Sequence, residues 1–476
     1  MDASNALKVA EKLYDRLVKR RPTVLKTDEY YEGKQPLAFA SREWAEFHKD
    51  RYAGFSDNWC APVADAPSER VALTGVKDKR LSELWDVWQS HDGEEQFAMG
   101  SHATTVNSVS YALVWGPDAA VSWEHASEVW VDKDPATRRS RYAIKSFVDG
   151  ETEYLSLFDS DGKVWKWSRE TSEPQQTEAG VLVSRSGFPA SQGWKPYQPK
   201  SDDTWPVNTP MKRVPVVEFP NRPRLARGPL SDIQGAMAMQ DAINLLWAYL
   251  FGAADHASLP ARVIMGQEPP VLPILDERGQ KIGEKQVDLK DLQHGRMLWL
   301  TGKAGQDAKI GQWDAAKLDV FTDVIEVAVG HIAAQTRTPP HYLNTKAGIS
   351  NLSGDALVAA ETGLVKKVEE QIRAYRKGLR EVFELMALAL GDEALALVVT
   401  ASAFEFANPA MRSEAQLTDA LVKKSQIGYP FEYLMELDGV PPEDRERVLG
   451  MRERELLGDY QADGVVNVSA DTTQGD

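Results

Sequence analysis

Apolar residues recur at helical spacing from the start of the chain, where Leu7, Ala10, Leu13 and Leu17 share a face and Arg20-Arg21-Pro22 closes the run. A second short helical stretch carries Tyr30-Tyr31-Glu32-Gly33, with the glycine as its stop. From His102 to Ser168 the period changes to two. Alternating runs at 110–115 and 154–158 end in Gly116-Pro117-Asp118 and Asp159-Ser160-Asp161-Gly162, which predicts antiparallel strands joined by turns. A region rich in Pro, Ser and Gln spans 173–210, and one further strand follows at 214–219.

After Pro220 the pattern becomes helical. Ser231-Asp232-Ile233-Gln234 reads as a capping box opening a proline-free helix to Ser258, about 40 Å long at 1.5 Å per residue. Its many small residues suit close helix packing. Residues 259–313 form a compact mixed insert, strand-like at 261–265 and 297–300 with a turn at Asp276-Glu277-Arg278-Gly279. Helix then returns: Leu318, Phe321, Ile325, Ala328 and Ile332 form one stripe, and Asp319, Asp323 and Glu326 another. Two helices bracketing an insert suggest an antiparallel pair with a cap at its far end.

That helix breaks at Thr336-Arg337-Thr338-Pro339-Pro340, and a Gly/Ser-containing loop runs through 344–354. A much longer helix follows, with Leu357, Leu364, Val368, Ile372, Tyr375, Leu379, Val382 and Met386 on its apolar face. Its polar face is basic in the middle: Lys366, Lys367, Arg373, Arg376, Lys377 and Arg380. A solvated or inter-subunit face explains that run better than nucleic-acid contact, given the interleaved apolar period. Strand-like runs at 397–400 and 404–406 come next, then a second capping box, Ser413-Glu414-Ala415-Gln416, opening helices to Leu457 with breaks at 428–430 and 438–442. The tail after Asp459 is polar and expected to be disordered. The loop held between stiff helices reads as a mechanical element rather than a catalytic one.

Composition narrows the classes. At 476 residues, two to four subdomains are expected. A net charge of −16 argues against a surface built to hold phosphate backbones. It is compatible with a wall that repels them over a screening range of about 8 Å. The single cysteine, Cys60, allows neither an intrachain disulfide nor a cysteine metal cage and suits a reducing compartment. Met1-Asp2-Ala3-Ser4 carries no basic-then-apolar leader, and the apolar windows at 242–254 and 383–390 fall short of the roughly 20 residues of a membrane span, so a soluble intracellular chain is expected. Among the 14 tryptophans, Trp115, Trp123, Trp130, Trp165 and Trp167 lie in strand-like runs, where sheet packing explains them better than a sugar platform.

Catalytic signatures fail on inspection. Gly302-Lys303 lacks the Ser or Thr of a phosphate loop, since Ala304 follows, and Gly295 is seven residues upstream rather than five. His331 and His341 have no acidic or cysteine partner at metal-ligand spacing. Ser191 sits in Pro189-Ala190-Ser191-Gln192-Gly193, where proline replaces the first glycine of a hydrolase elbow. No cofactor, metal or catalytic residue is expected.

The order of elements resembles the portal proteins, or head–tail connectors, of tailed double-stranded DNA bacteriophages. The matching pieces are Tyr30-Tyr31-Glu32-Gly33, Asn58, Gly228-Pro229-Leu230-Ser231, and Thr336-Arg337-Thr338-Pro339-Pro340. They continue with Gly348-Ile349-Ser350-Asn351-Leu352-Ser353-Gly354-Asp355-Ala356-Leu357, Glu361, Lys366-Lys367 and Asn408-Pro409. Together they cover most of the chain. The resemblance implies an α+β portal fold: a wing (1–230), stem helices (231–258 and 314–335), a small mixed clip (259–313), a tunnel loop (336–353), a long wing helix and strand (354–412), crown helices (413–457) and a disordered tail (458–476).

It further implies a homo-oligomeric ring, a dodecamer of about twelve copies, at one capsid vertex. Double-stranded DNA would pass through it, unread in sequence, during packaging and ejection. The implied partners are the terminase large subunit, major capsid and scaffolding proteins and head–tail adaptor or neck proteins, with no membrane. The implied setting is the virion, with host cytoplasm during assembly. The tunnel-loop residues are Asn344, Thr345, Lys346, Ala347, Gly348, Ile349, Ser350 and Asn351. Asp319, Asp323 and Glu326 would line the channel wall, and Asp276, Glu277, Arg278, Lys281 and Lys285 would meet terminase or neck proteins in the clip. The rival readings are another phage head or neck component, such as a minor capsid or adaptor protein, and a Trp-rich carbohydrate-active enzyme.

Overall fold

The computed structural model describes residues 1–37, 55–170, 175–176, 182–183, 193–200, 202, 204–258, 262–265, 271–275, 279–286, 297–300, 309–312, 317–343, 354–410 and 414–463. The chain forms two units, one from Met1–Gln35, Asn58–Met237 and Ala333–Asp476, the other from Pro36–Asp57 and Ala238–Ile332.

The first unit opens with α1 (Ala3–Glu32), capped by Asp2, whose carboxylate accepts from the Asn5 N–H at 2.8 Å, and ended by Gly33 at φ 71°. The expected stop at Pro22 does not occur, because the two expected stretches are one helix with Pro22 inside it. The neighbouring arginines explain why the interruption is tolerated. Arg20 donates to the Ala126 and Val129 carbonyls, and Arg21 to that of Ser127 at 2.8 Å. These contacts fasten the helix to the start of β4 and the turn before it, just ahead of the backbone bond that Pro22 cannot make. After α2 (Cys60–Ser68) and β1 (Leu73–Val76) come α3 (Ser82–Ser90) and α4 (Gly93–Asn107). Period-two structure therefore starts at Val109 and not at His102, which lies in α4.

The strands are β2 (Val109–Trp115), β3 (Ala120–Glu124), β4 (Val129–Lys133), β5 (Ser140–Asp149), β6 (Thr152–Asp159), β7 (Lys163–Glu170), β8 (Gln175–Gln176), β9 (Leu182–Val183), β10 (Lys195–Pro196), β11 (Val207–Asn208) and β12 (Val216–Pro220). One sheet runs β10-β7-β6-β5-β4 with β11 also on β7; another runs β12-β2-β3. Every pairing in both sheets is antiparallel. Of the five tryptophans in strand-like runs, Trp165 and Trp167 are buried, beside Trp205, while Trp115, Trp123 and Trp130 are half-buried and Trp123 packs against Trp88, Phe97 and Phe219. Gly100 is required here, since the Trp123 indole occupies the place of its missing Cβ.

In the second unit α5 (Met237–Ser258) begins six residues after Ser231, so the expected capping box does not open it. Asp232 and its neighbours are held by other partners, described below. Strands β13 (Arg262–Met265), β14 (Val271–Leu275), β15 (Lys281–Gln286), β16 (Met297–Leu300) and β17 (Lys309–Gln312) form a three-stranded sheet β16-β13-β17 and a hairpin β14-β15. Helix α6 (Asp319–Thr336) starts later than the expected residue 314, and its last residues, from Ala333, belong to the first unit.

The first unit continues with α7 (Pro340–Leu343) and the long α8 (Gly354–Ala389). Leu364, Val368, Ile372, Tyr375, Leu379, Val382, Phe383 and Met386 of α8 are all buried in the main core, each contributing about 2 kcal/mol by transfer from water. Gly378 lets α8 approach β12: a Cβ there would lie 2.6 Å from the Phe219 ring. The expected strand at 397–400 is instead part of α9 (Glu393–Ala401). Asp392 caps it through the Leu395 N–H at 2.8 Å, and buried Val399 packs at helical period, so tertiary context overrides β-branched preference. Strand β18 (Phe404–Phe406) pairs with β1. Helices α10 (Glu414–Gln426), α11 (Phe431–Asp438) and α12 (Pro442–Asp463) follow, with α12 running past Asp459 into the stretch expected to be disordered.

Candidate channel elements and the junction on the long helix

Two buried polar nodes on α8 organise the chain on either side of the loop. At the first, Glu361 has a side chain 3% exposed and accepts from Arg70 at 2.7 Å and from the Tyr342 hydroxyl at 3.2 Å. His341 Nε2 lies 3.3 Å from the same carboxylate. Arg70 also donates to the Tyr342 oxygen and, at 3.2 Å, to the Pro409 carbonyl. Burial pushes the Tyr342 phenol up from its ordinary range, with Arg70 opposing and Glu361 reinforcing. One carboxylate thus gathers α7 and the segments before β1 and α10 onto α8.

At the second node Lys367, 4% exposed, places Nζ 3.0 Å from Asp232 and 3.2 Å from the Thr336 carbonyl. Burial lowers the Lys367 ammonium below its ordinary range while Asp232 draws it back up. Asp232 also accepts from Asn221 at 3.1 Å and Gln371 at 3.2 Å. A buried charge pair needs these extra hydrogen bonds to offset desolvation. Lys367 therefore does not belong to the polar face assigned to it: it sits on the buried side and ties the end of α6 to the turn before α5.

Between the nodes the chain turns at Arg337, whose φ is 58°. The Thr338 N–H bonds the Ala333 carbonyl at 3.1 Å, and the Thr336 and Thr338 hydroxyls meet at 2.9 Å. A β-branched pair and a proline pair around a left-handed residue close α6 and start α7.

Asp319 and Asp323 are exposed on α6 and Glu326 is half-buried, all on one stripe. Neither Asp319 nor Asp323 pairs with a cation among the described residues. Exposed Val320, Val324 and Val327 each directly follow one of the three acidic residues. Lys281 is ion-paired with Glu284, while Lys285 is exposed in register with Leu272. Asn344, Thr345, Lys346, Ala347, Gly348, Ile349, Ser350 and Asn351 lie outside the described residues, as do Asp276, Glu277, Arg278 and Gly302-Lys303. His331 is exposed on α6. Trp115 and Trp167 line a cavity of about 280 Å³ with Phe147, Tyr154, Phe158 and Tyr197. Among the described residues no three His, Cys, Asp or Glu side chains are grouped to hold a metal, and no helix is long and apolar enough to cross a membrane.

Asp232, Arg70 and Asn221 are the junction residues that sequence reading missed. One signal was present: Lys367 falls between Leu364, Val368 and Gln371 on the apolar face, and a lysine there requires a buried acid.

The model of the family described as phage portal protein, SPP1 Gp6-like, matches residues 10–436, and the chain belongs to that family. It is 26% identical over 350 residues to the portal protein of Mycobacterium phage D29 and 26% over 342 to that of Mycobacterium phage L5. Each match covers 68% of this chain and 63% of the relative's length. Among solved structures it is similar, at 14% identity and a TM-score of 0.41, to a chain in the neck of a native gene transfer agent particle computed with C12 symmetry, covering 89% of this chain and 99% of that one. A chain in the neck of an empty particle computed with C6 symmetry gives 13% identity and a TM-score of 0.45, covering 86% and 97%.

Proposed function

We propose that this chain is the repeating subunit of a portal ring, a dodecamer of about twelve copies, through which double-stranded DNA enters and leaves a phage capsid. The family match over residues 10–436 carries the reading. In it, α5 and α6 are stem helices, residues 259–313 the clip that meets terminase and neck proteins, and 336–353 the tunnel loop. Residues 1–230 with α8 would form the wing, and α10–α12 the crown. Capsid and scaffolding proteins would surround the ring in the virion, after assembly in the host cytoplasm.

The acidic stripe Asp319, Asp323 and Glu326 would face the lumen as a wall that DNA slides past. Lys346 would add one weak phosphate contact per subunit, and Lys281 and Lys285 would belong to the docking face. The reading assigns the chain no chemistry, so the packaging motor would be a separate protein. Electron microscopy of the purified chain, with native mass, tests it: perforated rings of about a dozen copies are expected, and a stable monomer overturns it.

A further inference from the structure

The chain's charge is segregated. No Lys or Arg occurs between Arg80 and Lys133, and within this span Glu83, Asp86, Asp92, Glu94 and Glu95 are exposed on and between α3 and α4. No acidic residue occurs between Glu370 and Glu381, where Arg373, Arg376, Lys377 and Arg380 are exposed on α8. None of these nine groups is in an ion pair among the described residues, though Lys377 acts at longer range on half-buried Glu381. Arg376 lies over the Phe406 ring at 5.7 Å and Arg380 donates to the Ser402 carbonyl at 3.1 Å, while Arg373 and Lys377 make no such contact.

The two patches lie on opposite sides of one aromatic layer. Phe97 of α4 meets Tyr375 of α8 at 5.8 Å between ring centroids, and Trp88 of α3 meets Phe383 at 5.3 Å. Arg373 and Lys377 are each two positions from Tyr375, about 160° around a helix of 3.6 residues per turn. Glu95 and exposed Met99 are each two positions from Phe97, and Asp86 is two from Trp88. The inner faces of these helices hold the layer together, and their outer faces point away from it with opposite charge.

A closed ring built head to tail needs this arrangement: two different, complementary surfaces on opposite sides of each subunit. We infer that the basic face of α8 docks on the acidic face of α3 and α4 of a second copy of this chain. In a chain of net charge −16 this attraction would offset the general repulsion between copies and fix which face meets which. The inference rests on the ring reading above and names the contact that reading leaves open.

Four full-length proteins test it: the natural chain, R373E/K377E, D86K/E95K, and the quadruple variant carrying both pairs. Electron microscopy and native mass report assembly, and circular dichroism melting reports folding. Rings are expected from the natural chain, monomers or small oligomers from each double variant at unchanged melting, and rings again from the quadruple variant. If the natural chain forms no ring, the portal reading falls. If it forms rings that both double variants also form, or that the quadruple variant fails to regain while folded, the proposed contact is overturned. As a milder probe, R373Q/K377Q should lower the salt concentration that half-dissociates the rings by about twofold or more; an unchanged midpoint overturns the contact as well.

Discussion

Helices α8 and α10 are both amphipathic, and they show two ways in which a helix holds its place. Helix α8 completes its packing within the chain: its apolar stripe is buried and two polar nodes pin it. Helix α10, 13 residues long, has no buried residue among those described. Leu417 and Leu421 are half-buried, while Val422 and nearby Ile427 are exposed. A helix this short is marginal alone. The region around α8 is therefore a finished core and the region around α10 an unfinished one, and mutations should separate them sharply.

The largest effect is expected at the second node. Lys367→Met takes the nearer cation from buried Asp232, leaving it only Arg222 at 3.6 Å, and should lower unfolding free energy by about 3 kcal/mol, with D232A/K367M recovering part of it. Denaturant titration measures both, and a loss no larger than that of a surface change would refute the node. A pH scan gives the next effect. Tyr111 is fully buried, and burial pushes its phenol up to about 12. The native state thus holds this proton above the unfolded value near 10. The stability it contributes is full below pH 10 and lost as pH rises through 12, about 2–3 kcal/mol in all. Tyr111→Phe should flatten that loss in alkaline melts.

Third comes Gly378→Ala, whose new Cβ meets Phe219; overpacking should remove about 1–3 kcal/mol. Smallest is Val422→Ser on α10, expected to change monomer stability by less than about 0.5 kcal/mol. A loss of several kcal/mol there would show that α10 has a hidden core partner and end the contrast.

What could be read from the sequence follows the same division. The stripe of α8, the hairpin turns at Gly116 and Gly162, and the Gly33 stop are local signals, and local physics suffices to place them. Pro22 inside α1 and the helix over 397–400 were misread because distant partners decide them: arginine contacts to the sheet in one case, a buried Val399 in the other. Ser231 carried a helix-cap pattern, yet the residue beside it was needed elsewhere, by Lys367. Long-range ion pairs leave only a faint trace in sequence, a charge standing where an apolar residue should be.

One consequence of the turn at Arg337 concerns how the molecule would come apart. A side chain at φ 58° is held about 1–2 kcal/mol above its relaxed state, and only the surrounding bonds keep it there. The Lys367 grip on the Thr336 carbonyl is one of those bonds. The Thr338 N–H bond to Ala333 and the Thr336–Thr338 hydroxyl contact are others. The corner is thus shut by side chains and backbone together against the strain of its own turn, and each bond lost would lower the cost of opening it.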